Sequence, residues 1–200
     1  IGNFEFIRIC QINNKMKLAP FLFFLALFLA ISNCIGQTTD KDSLTSILES
    51  LSEKNEQYVD ILNQLAYSNL NSQPIKTLQL AEESNIIATS LNYQNGIARS
   101  YAMQAAYYWT ISNLSENIKY NLLALDIYKS IDNKLGIANI YNNIAEAYSR
   151  EKDYNKALEY HLVGIDYRQR ELSKIIPSLL LHNIGEIYYK IKNYEKAREF

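Results

Sequence analysis

Asn143-Ile144-Ala145-Glu146-Ala147-Tyr148 returns 40 residues later as Asn183-Ile184-Gly185-Glu186-Ile187-Tyr188. The residues that follow repeat at the same spacing, since DYNKALEY at 153–160 matches NYEKAREF at 193–200. A third match, the tripeptide Gly-Ile-Ala, begins at residues 96 and 136. Three matches at one period indicate an internal repeat, which predicts an array of stacked structural units.

Each repeat has the pattern of two helices. Apolar residues in the first helix follow a spacing of three and four, which places them on one face: Ile137, Ile140, Tyr141, Ile144, Ala145 and Tyr148. The polar turn at 151–153 follows, and Asp153 is expected to cap the next helix. The inner face of that second helix is predicted to carry Ala157, Leu158, His161, Gly164 and Ile165.

Small residues at Ala145 and Ala157 predict a close approach of the two helices. Neither helix can bury its apolar face alone, so hairpin must stack on hairpin to form a continuous core. The composition agrees, because only three Pro and six Gly residues are present and long helices are therefore favoured over a turn-rich β fold. The prediction is an all-α solenoid.

This pattern resembles the tetratricopeptide repeat (TPR): a large aromatic residue, Leu-Gly, Tyr, and then Ala, an aromatic and Ala. The positions that match are Tyr141, Ile144, Ala145, Tyr148, Ala157, His161 and Gly164 in the third hairpin, and Leu181, Ile184, Gly185, Tyr188 and Ala197 in the fourth. The second hairpin matches at Tyr101, Ala105, Tyr108 and Ala124, although Asn117 replaces the usual Ala. The first is weaker, with Leu65-Ala66, a turn at Asn71–Pro74 and a second helix through Leu78, Ala81 and Ile86.

Two features depart from the usual TPR. The period is 40 residues here, against about 34 in the common form. The Pro that often ends the repeat is missing, since Ile131 and Gln169 stand near its place. The resemblance covers about residues 57–200 and implies a right-handed solenoid of about four hairpins, the last truncated. It identifies the chain as a forty-residue variant of the superfamily.

An export signal is predicted ahead of the array. The uncharged apolar run Leu18–Ile31 follows Lys15 and Lys17 and precedes small and polar residues, as in a secretory signal peptide. A membrane span would need about 20 apolar residues. Cleavage after Gly36 is favoured, and the alternatives are lipidation at Cys34 and an uncleaved anchor.

The expected boundaries follow from these segments. Residues 1–15, which lack Met, are interpreted as upstream sequence before the natural start at Met16. The remaining segments are a signal peptide at 16–36, a lead-in helix at 37–56, and an array at 57–200 whose repeats are 57–95, 96–135, 136–176 and the partial 177–200.

Charge and cysteine content exclude several classes of function. A net charge of −1 argues against nucleic-acid binding, which normally needs a basic surplus. Cys10 and Cys34, the only cysteines, precede the array, so a zinc cluster or disulfide framework is not expected in the folded part.

No catalytic motif is found. Phosphate-binding loops and the Gly-x-Ser-x-Gly elbow are missing from the sequence. His161 is expected to be a packing residue with satisfied nitrogens, and His182 a polar surface residue. Glu146 and Glu186 occupy equivalent positions, which repetition explains better than general acid–base catalysis does. The prediction is a non-enzyme without catalytic, cofactor-binding or metal-binding residues.

The TPR resemblance implies that a partner binds in a concave groove lined by the first helix of each hairpin. The candidate groove residues are Asn63, Tyr67, Arg99, Trp109, Asn139, Asn142, Glu146, Arg150, His182, Glu186, Tyr189 and Lys190, with Asp60, Ala102 and Ala106 beside them. Trp109 is the foremost candidate because aromatic side chains dominate binding hot spots, and its alternative role is packing between repeats. The mix of Asn, Glu, Arg and Tyr favours a polar, extended peptide.

Three functions compete. The array is similar to the N-terminal exported TPR regions of bacterial sensor histidine kinases and membrane-tethered helix-turn-helix regulators, which implies a sensor region of a longer signalling protein. The alternatives are a freestanding periplasmic or lipid-anchored adaptor, and an accessory region of an enzyme whose catalytic domain follows Phe200. In each case we expect export to the periplasm or membrane of a Gram-negative bacterium. Membrane contact would then occur only through the signal segment, a lipid on Cys34 or a downstream span.

Overall fold

The computed structural model describes residues 41–172 and 176–200. The predicted start, the signal peptide and Cys34 lie outside the described residues. The chain divides into two contact units, residues 1–46 and 47–200, and the site described below lies within the second. Within the predicted lead-in segment, residues 41–50 are helical and residues 51–55 are not.

The described part of the array consists of helices that follow one another through short turns. Their bounds are α1 Glu56–Asn69, α2 Pro74–Ser90, α3 Gln94–Thr110, α4 Leu114–Ser130, α5 Lys134–Arg150, α6 Tyr154–Leu172, α7 Ser178–Lys190 and α8 Tyr194–Ala197. No strand occurs among the described residues, so the predicted all-α class is confirmed. No helix in the same residues is both long and apolar enough to cross a bilayer.

The three-residue turns share one geometry and stand 20 or 40 residues apart. The middle residue of each three-residue turn has a positive φ, and these residues are Asn92, Ser112, Asp132, Lys152 and Lys192. The next residue donates its N–H back to a carbonyl of the preceding helix, as when the N–H of Asp153 reaches the oxygen of Tyr148 at 2.9 Å. This arrangement ends α2, α3, α4, α5 and α7 and satisfies carbonyls of their last turns.

The residue after the positive-φ position also starts the following helix. The Asp153 carboxylate accepts the N–H of Lys156 at 3.2 Å, which confirms the predicted cap. Asn113, Asn133 and Asn193 make the equivalent bond at their own helices. Pro74 begins α2 as predicted, where its missing N–H costs nothing.

Hairpins form between α1 and α2, α3 and α4, and α5 and α6, and each packs on the next. One core cluster joins α3, α4 and α5 through Ala98, Ala124, Leu125, Tyr128, Ile137, Ile140 and Ile144. Similar clusters join α1 to α3 and α6 to α7. Ala145 and Ala157 are fully buried where the two helices of the third hairpin meet. Burial of each large apolar side chain contributes about 1.5–3 kcal/mol.

Aromatic pairs recur at the 40-residue period, and each joins the first helix of a hairpin to residues that follow its turn. The stacked pairs, with ring-centre distances of 5.3, 5.5 and 5.6 Å, are Tyr108–Tyr120, Tyr148–Tyr160 and Tyr188–Phe200. Each pair adds about 0.5–1.5 kcal/mol beyond the area that it buries. Five of the 16 tyrosines of the sequence thus occupy packing positions that repeat with the 40-residue period.

Candidate functional site

A cavity of about 440 Å³ lies between α3, α4, α5 and α7. We call it the central cavity, and it is lined by Ala106, Trp109, Asn117, Asn121, Asn142, Asn143, Glu146, Leu179 and Asn183. Five of the nine lining residues are asparagines, and none is Lys, Arg or His. Its size falls in the range of about 300–1,000 Å³ that is typical of ligand sites.

Two asparagines reach the cavity from α4, the second helix of its hairpin. Asn117 stands where the repeat pattern has a small residue, and its amide N–H₂ donates to the Ala105 carbonyl at 2.8 Å. Thr77 makes the corresponding bond in the first hairpin, to the Ala66 carbonyl at 2.9 Å. Asn121 is 1% exposed and donates to the Asn117 carbonyl at 3.0 Å. Its Oδ1 has no hydrogen-bond partner among the described residues.

The opposite wall contains a half-buried carboxylate. Asn183 of α7 donates its side-chain N–H₂ to Oε1 of Glu146 on α5, which connects two repeats. Burial raises the pKa of Glu146, the hydrogen bond from Asn183 opposes that rise, and the nearby Glu186 charge adds to it. Asn142 lies one turn before Glu146, and its Oδ1 is also without a partner in the described part of the chain.

Trp109 of α3 forms part of the cavity wall. The guanidinium of Arg150 lies over the Trp109 ring, 4.8 Å from its centre, and donates to the Trp109 carbonyl at 3.2 Å and to Ser112 Oγ at 3.1 Å. Trp109 therefore both lines the cavity and packs against the next repeat. Arg150 is exposed, but its donors are directed at the second repeat.

Other predicted groove residues are held by contacts within the array. Arg99 pairs with Asp60 at 2.9 Å, and the Tyr93 hydroxyl donates to the same carboxylate at 3.3 Å. Asn139 accepts a hydrogen bond from Arg168 at 2.6 Å. Tyr67 is exposed on α1. None of these residues lines the central cavity.

Asn63 was expected to face the groove, and the structure corrects this. The residue is 2% exposed, and its amide N–H₂ donates to the Val59 carbonyl one turn earlier in α1 at 3.2 Å. The side chain is therefore buried within the array and not accessible to a partner.

The candidates on α7 form a separate group. His182, Glu186 and Tyr189 line a second cavity of about 340 Å³ with Ser178, Gly185, Ala197 and Phe200. Lys190 pairs with Glu186 at 2.8 Å, and this contact lowers the pKa of Glu186. The predicted residues of the fourth hairpin are thus clustered, but apart from the central cavity.

His161 is fully buried, in agreement with the predicted packing position. The expectation that its nitrogens are satisfied is wrong, because neither Nδ1 nor Nε2 has a hydrogen-bond partner among the described residues. Burial lowers the pKa of His161 to about 4, so the ring is neutral near pH 7. Helix periodicity thus predicted the buried position of His161 correctly but could not predict its hydrogen-bond partners.

Sequence reasoning found Trp109, Asn142, Glu146 and Ala106 but missed Asn117, Asn121, Asn143, Leu179 and Asn183. The resemblance directed attention to first helices alone, whereas Asn117 and Asn121 lie on a second helix. A signal was present, since Asn117 departs from the expected Ala and Asn143 and Asn183 belong to the repeated stretch. In the described part of the chain, no group of three or more His, Cys, Asp or Glu side chains is placed to hold a metal ion.

Comparison with known proteins gives structural neighbours only. The sequence matches no protein-family model and no protein of curated function. BtubC (BKLC) from P. vanneervenii is similar with a TM-score of 0.69 and 17% identity, covering 82% of this chain and 70% of that one. A Rap protein complexed with competence and sporulation factor has a TM-score of 0.73 and 17% identity, covering 84% of this chain and 48% of that one.

A third neighbour carries a tetratricopeptide repeat sensor: a signal transduction ATPase with numerous domains from Pyrococcus horikoshii. Its TM-score is 0.68 and its identity 20%, over 78% of this chain and 24% of that one. This chain spans less than half of the Rap protein and of the ATPase. The same fold is indicated by the consecutive hairpins, by the 40-residue period and by these structural neighbours. The fold of this chain is therefore that of a tetratricopeptide-like α-solenoid.

Proposed function

We propose that this chain is a non-catalytic binding scaffold that takes a short peptide or an extended protein segment in its central cavity. The observation that carries the proposal is the row of asparagine side chains contributed by α4, α5 and α7 around one cavity. An asparagine amide both donates and accepts hydrogen bonds, as does every residue other than proline in an extended peptide backbone. Such side chains therefore suit a ligand whose main chain is free of regular structure.

Two further features support a peptide. The Oδ1 atoms of Asn121 and Asn142 lack partners within the array and would accept N–H groups of a ligand. Trp109 offers an aromatic surface of the kind that anchors binding partners. The Rap protein among the structural neighbours was crystallised with competence and sporulation factor, so a scaffold of this shape accommodates a bound factor.

The test begins with a phage-displayed library of random short peptides selected on the immobilised full chain. Affinities of the selected peptides are then measured by calorimetry for the wild type, Asn143→Ala and Asn155→Ala. Asn143 and Asn155 are both exposed helical asparagines, but only Asn143 lines the cavity. We expect Asn143→Ala to weaken binding about five- to tenfold, as for one lost hydrogen bond, and Asn155→Ala to change nothing. Equal affinities for the two variants, or no selected peptide, would contradict the proposal.

We further propose that the scaffold is the exported sensor region of a longer signalling protein. Support comes from Lys15 and Lys17 ahead of the apolar run 18–31 and from the likeness to the sensor-bearing ATPase. Ligand binding would bias the output by favouring one packing of the repeats. The freestanding adaptor is the competing arrangement.

Two measurements separate these arrangements. Fusion of residues 16–36 to alkaline phosphatase, which is active only outside the cytoplasm, tests export, and an inactive fusion would contradict it. Reading the gene beyond the codon for Phe200 tests the parent protein. A membrane span followed by a kinase or DNA-binding module supports the sensor, whereas a polar helix and a stop codon support the adaptor.

A further inference from the structure

We propose that the central cavity contains a subsite for a cationic group of the bound peptide, with Glu146 as its charge partner and Asn121 and Asn142 as additional acceptors. The cationic group is an ammonium or guanidinium, supplied either by a Lys or Arg side chain or by a peptide amino terminus. This inference rests on the proposed function, because it specifies which peptides the cavity prefers.

Glu146 differs from Asp60 and Glu186, the other acids of the predicted groove, because no cationic side chain pairs with it in the described part of the chain. Asp60 is paired with Arg99 at 2.9 Å and Glu186 with Lys190 at 2.8 Å. Among the described residues, no Lys, Arg or His forms an ion pair with Glu146.

The nearest candidate on its own helix, Arg150, lies four residues further along α5. Its guanidinium is directed at the Trp109 carbonyl and Ser112 Oγ, which leaves Glu146 with only a neutral partner, Asn183.

A half-buried carboxylate with only an amide partner is incompletely compensated. Burial penalises its charged form, and Glu186 nearby adds repulsion. The attraction of a bound cation would offset both penalties, whereas a bound anion would add further repulsion. Since no basic residue lines the cavity, an acidic ligand has nothing there to pair with.

The unpartnered oxygens of two asparagines indicate a hydrogen-bond donor on the ligand, and this evidence is independent of the Glu146 charge. Asn121 is 1% exposed, and its Oδ1 has no partner in the described part of the chain, although its amide N–H₂ is bonded. Asn142 Oδ1 likewise has no hydrogen-bond partner among the described residues. Acceptor oxygens around a carboxylate match an ammonium, with three donors, or a guanidinium, with five. Hydrogen bonds to charged groups are stronger than those between neutral groups.

The experiment uses the single tryptophan as its readout, because Trp109 lines the cavity. Its fluorescence in the full chain is titrated with N-acetyl-lysine methylamide and N-acetyl-arginine methylamide, which carry a side-chain cation. Alanine methylamide carries the terminal ammonium. N-acetyl-norleucine methylamide, which has the four side-chain carbons of lysine without the ammonium, is the matched control probe.

We expect at least one cationic probe to bind the wild type about tenfold more tightly than the norleucine probe. The identity of that probe distinguishes a side chain from an amino terminus as the source of the cation. Glu146→Gln, which retains the acceptor for Asn183, should abolish the difference. Glu159→Gln, which removes an exposed acid of α6 outside the cavity lining, should preserve it.

Equal binding of cationic and norleucine probes to the wild type would overturn the subsite without requiring any variant. So would a cation preference that Glu146→Gln leaves intact in a protein with a wild-type melting temperature. A third outcome is that the selected peptides depend on Asn143 but show no preference for Lys, Arg or a terminal amine. This would contradict the cation subsite and support the peptide-binding scaffold. A fourth outcome is that binding of the cationic probes depends on Glu146 but the library yields no peptide. This would support the subsite and contradict the peptide-binding scaffold.

Discussion

Arg150 of the third hairpin covers the indole of Trp109 in the second, with 4.8 Å between the guanidinium carbon and the ring centre. The same guanidinium bonds the Trp109 carbonyl and Ser112 Oγ. One side chain thus connects two repeats beside a residue that lines the central cavity. Trp109 is consequently both a cavity residue and a packing residue, so the two roles weighed from the sequence occur together.

We expect Arg150→Ala to lower the free energy of unfolding by about 1 kcal/mol, because an exposed cation–π contact contributes about 0.5–1 kcal/mol and the two hydrogen bonds add to it. Urea denaturation of Arg150→Ala, Trp109→Ala and the double variant gives the coupling energy of the pair. Strictly additive losses would show that the stacking makes no contribution. Lys152→Ala, a neighbouring exposed cation outside the stack, serves as the charge control.

Two glycines provide a matched pair for a packing prediction. A methyl group at Gly136 would lie 2.7 Å from ring carbons of the buried Tyr128, whereas at Gly185 the nearest atoms are at 3.5 Å. We expect Gly136→Ala to destabilise the array by about 1–3 kcal/mol through overpacking. Gly185→Ala should be neutral or stabilising by up to about 1 kcal/mol, as Ala is the better helix former. Thermal melts compare the two, and a stabilised Gly136→Ala would disprove the proposed clash.

Lys152 occupies a positive-φ position, with φ of 65°, in the turn between α5 and α6. An L-residue is strained in this conformation, and glycine is not. We expect Lys152→Gly to raise the free energy of unfolding by about 0.5–1 kcal/mol. Lys152→Ala removes the same charge and keeps the strain, so it should show no gain. A gain of equal size in both variants would assign the effect to charge and not to the backbone.

His161 makes stability depend on pH. Burial lowers its pKa from 6.5 to about 4, so the unfolded chain takes up a proton at a higher pH than the folded chain does. This contribution to stability is fully present above about pH 6.5 and is lost as the pH falls towards 4, by about 3 kcal/mol in total. Urea denaturation between about pH 7 and about pH 4.5 should show the loss in the wild type.

His161→Leu supplies the control for that experiment, because it keeps an apolar group of similar volume and cannot take up a proton. Its stability should fall less steeply over the same pH window. His182→Gln removes the exposed histidine and should leave the wild-type slope unchanged. Parallel slopes for the wild type and His161→Leu would contradict the assignment to His161.

The sequence by itself determined the repeating unit of this protein. Helix periodicity, the caps at Asn113, Asn133 and Asp153, and Pro74 at a helix start depend on residues within a few positions of one another. Such local patterns specify where helices begin, end and bury their apolar faces. The TPR-like solenoid was therefore predictable from the 40-residue period.

The tertiary structure alone decided which polar residues meet. Glu146 and Asn183 are separated by almost one repeat, and their contact depends on how α7 packs on the third hairpin. Asn121 reaches the cavity from a second helix, while Asn63, on a first helix, is buried against its own backbone. Helix periodicity assigns a residue to a face, but the packing of neighbouring helices determines what that face meets and which charges remain without a partner.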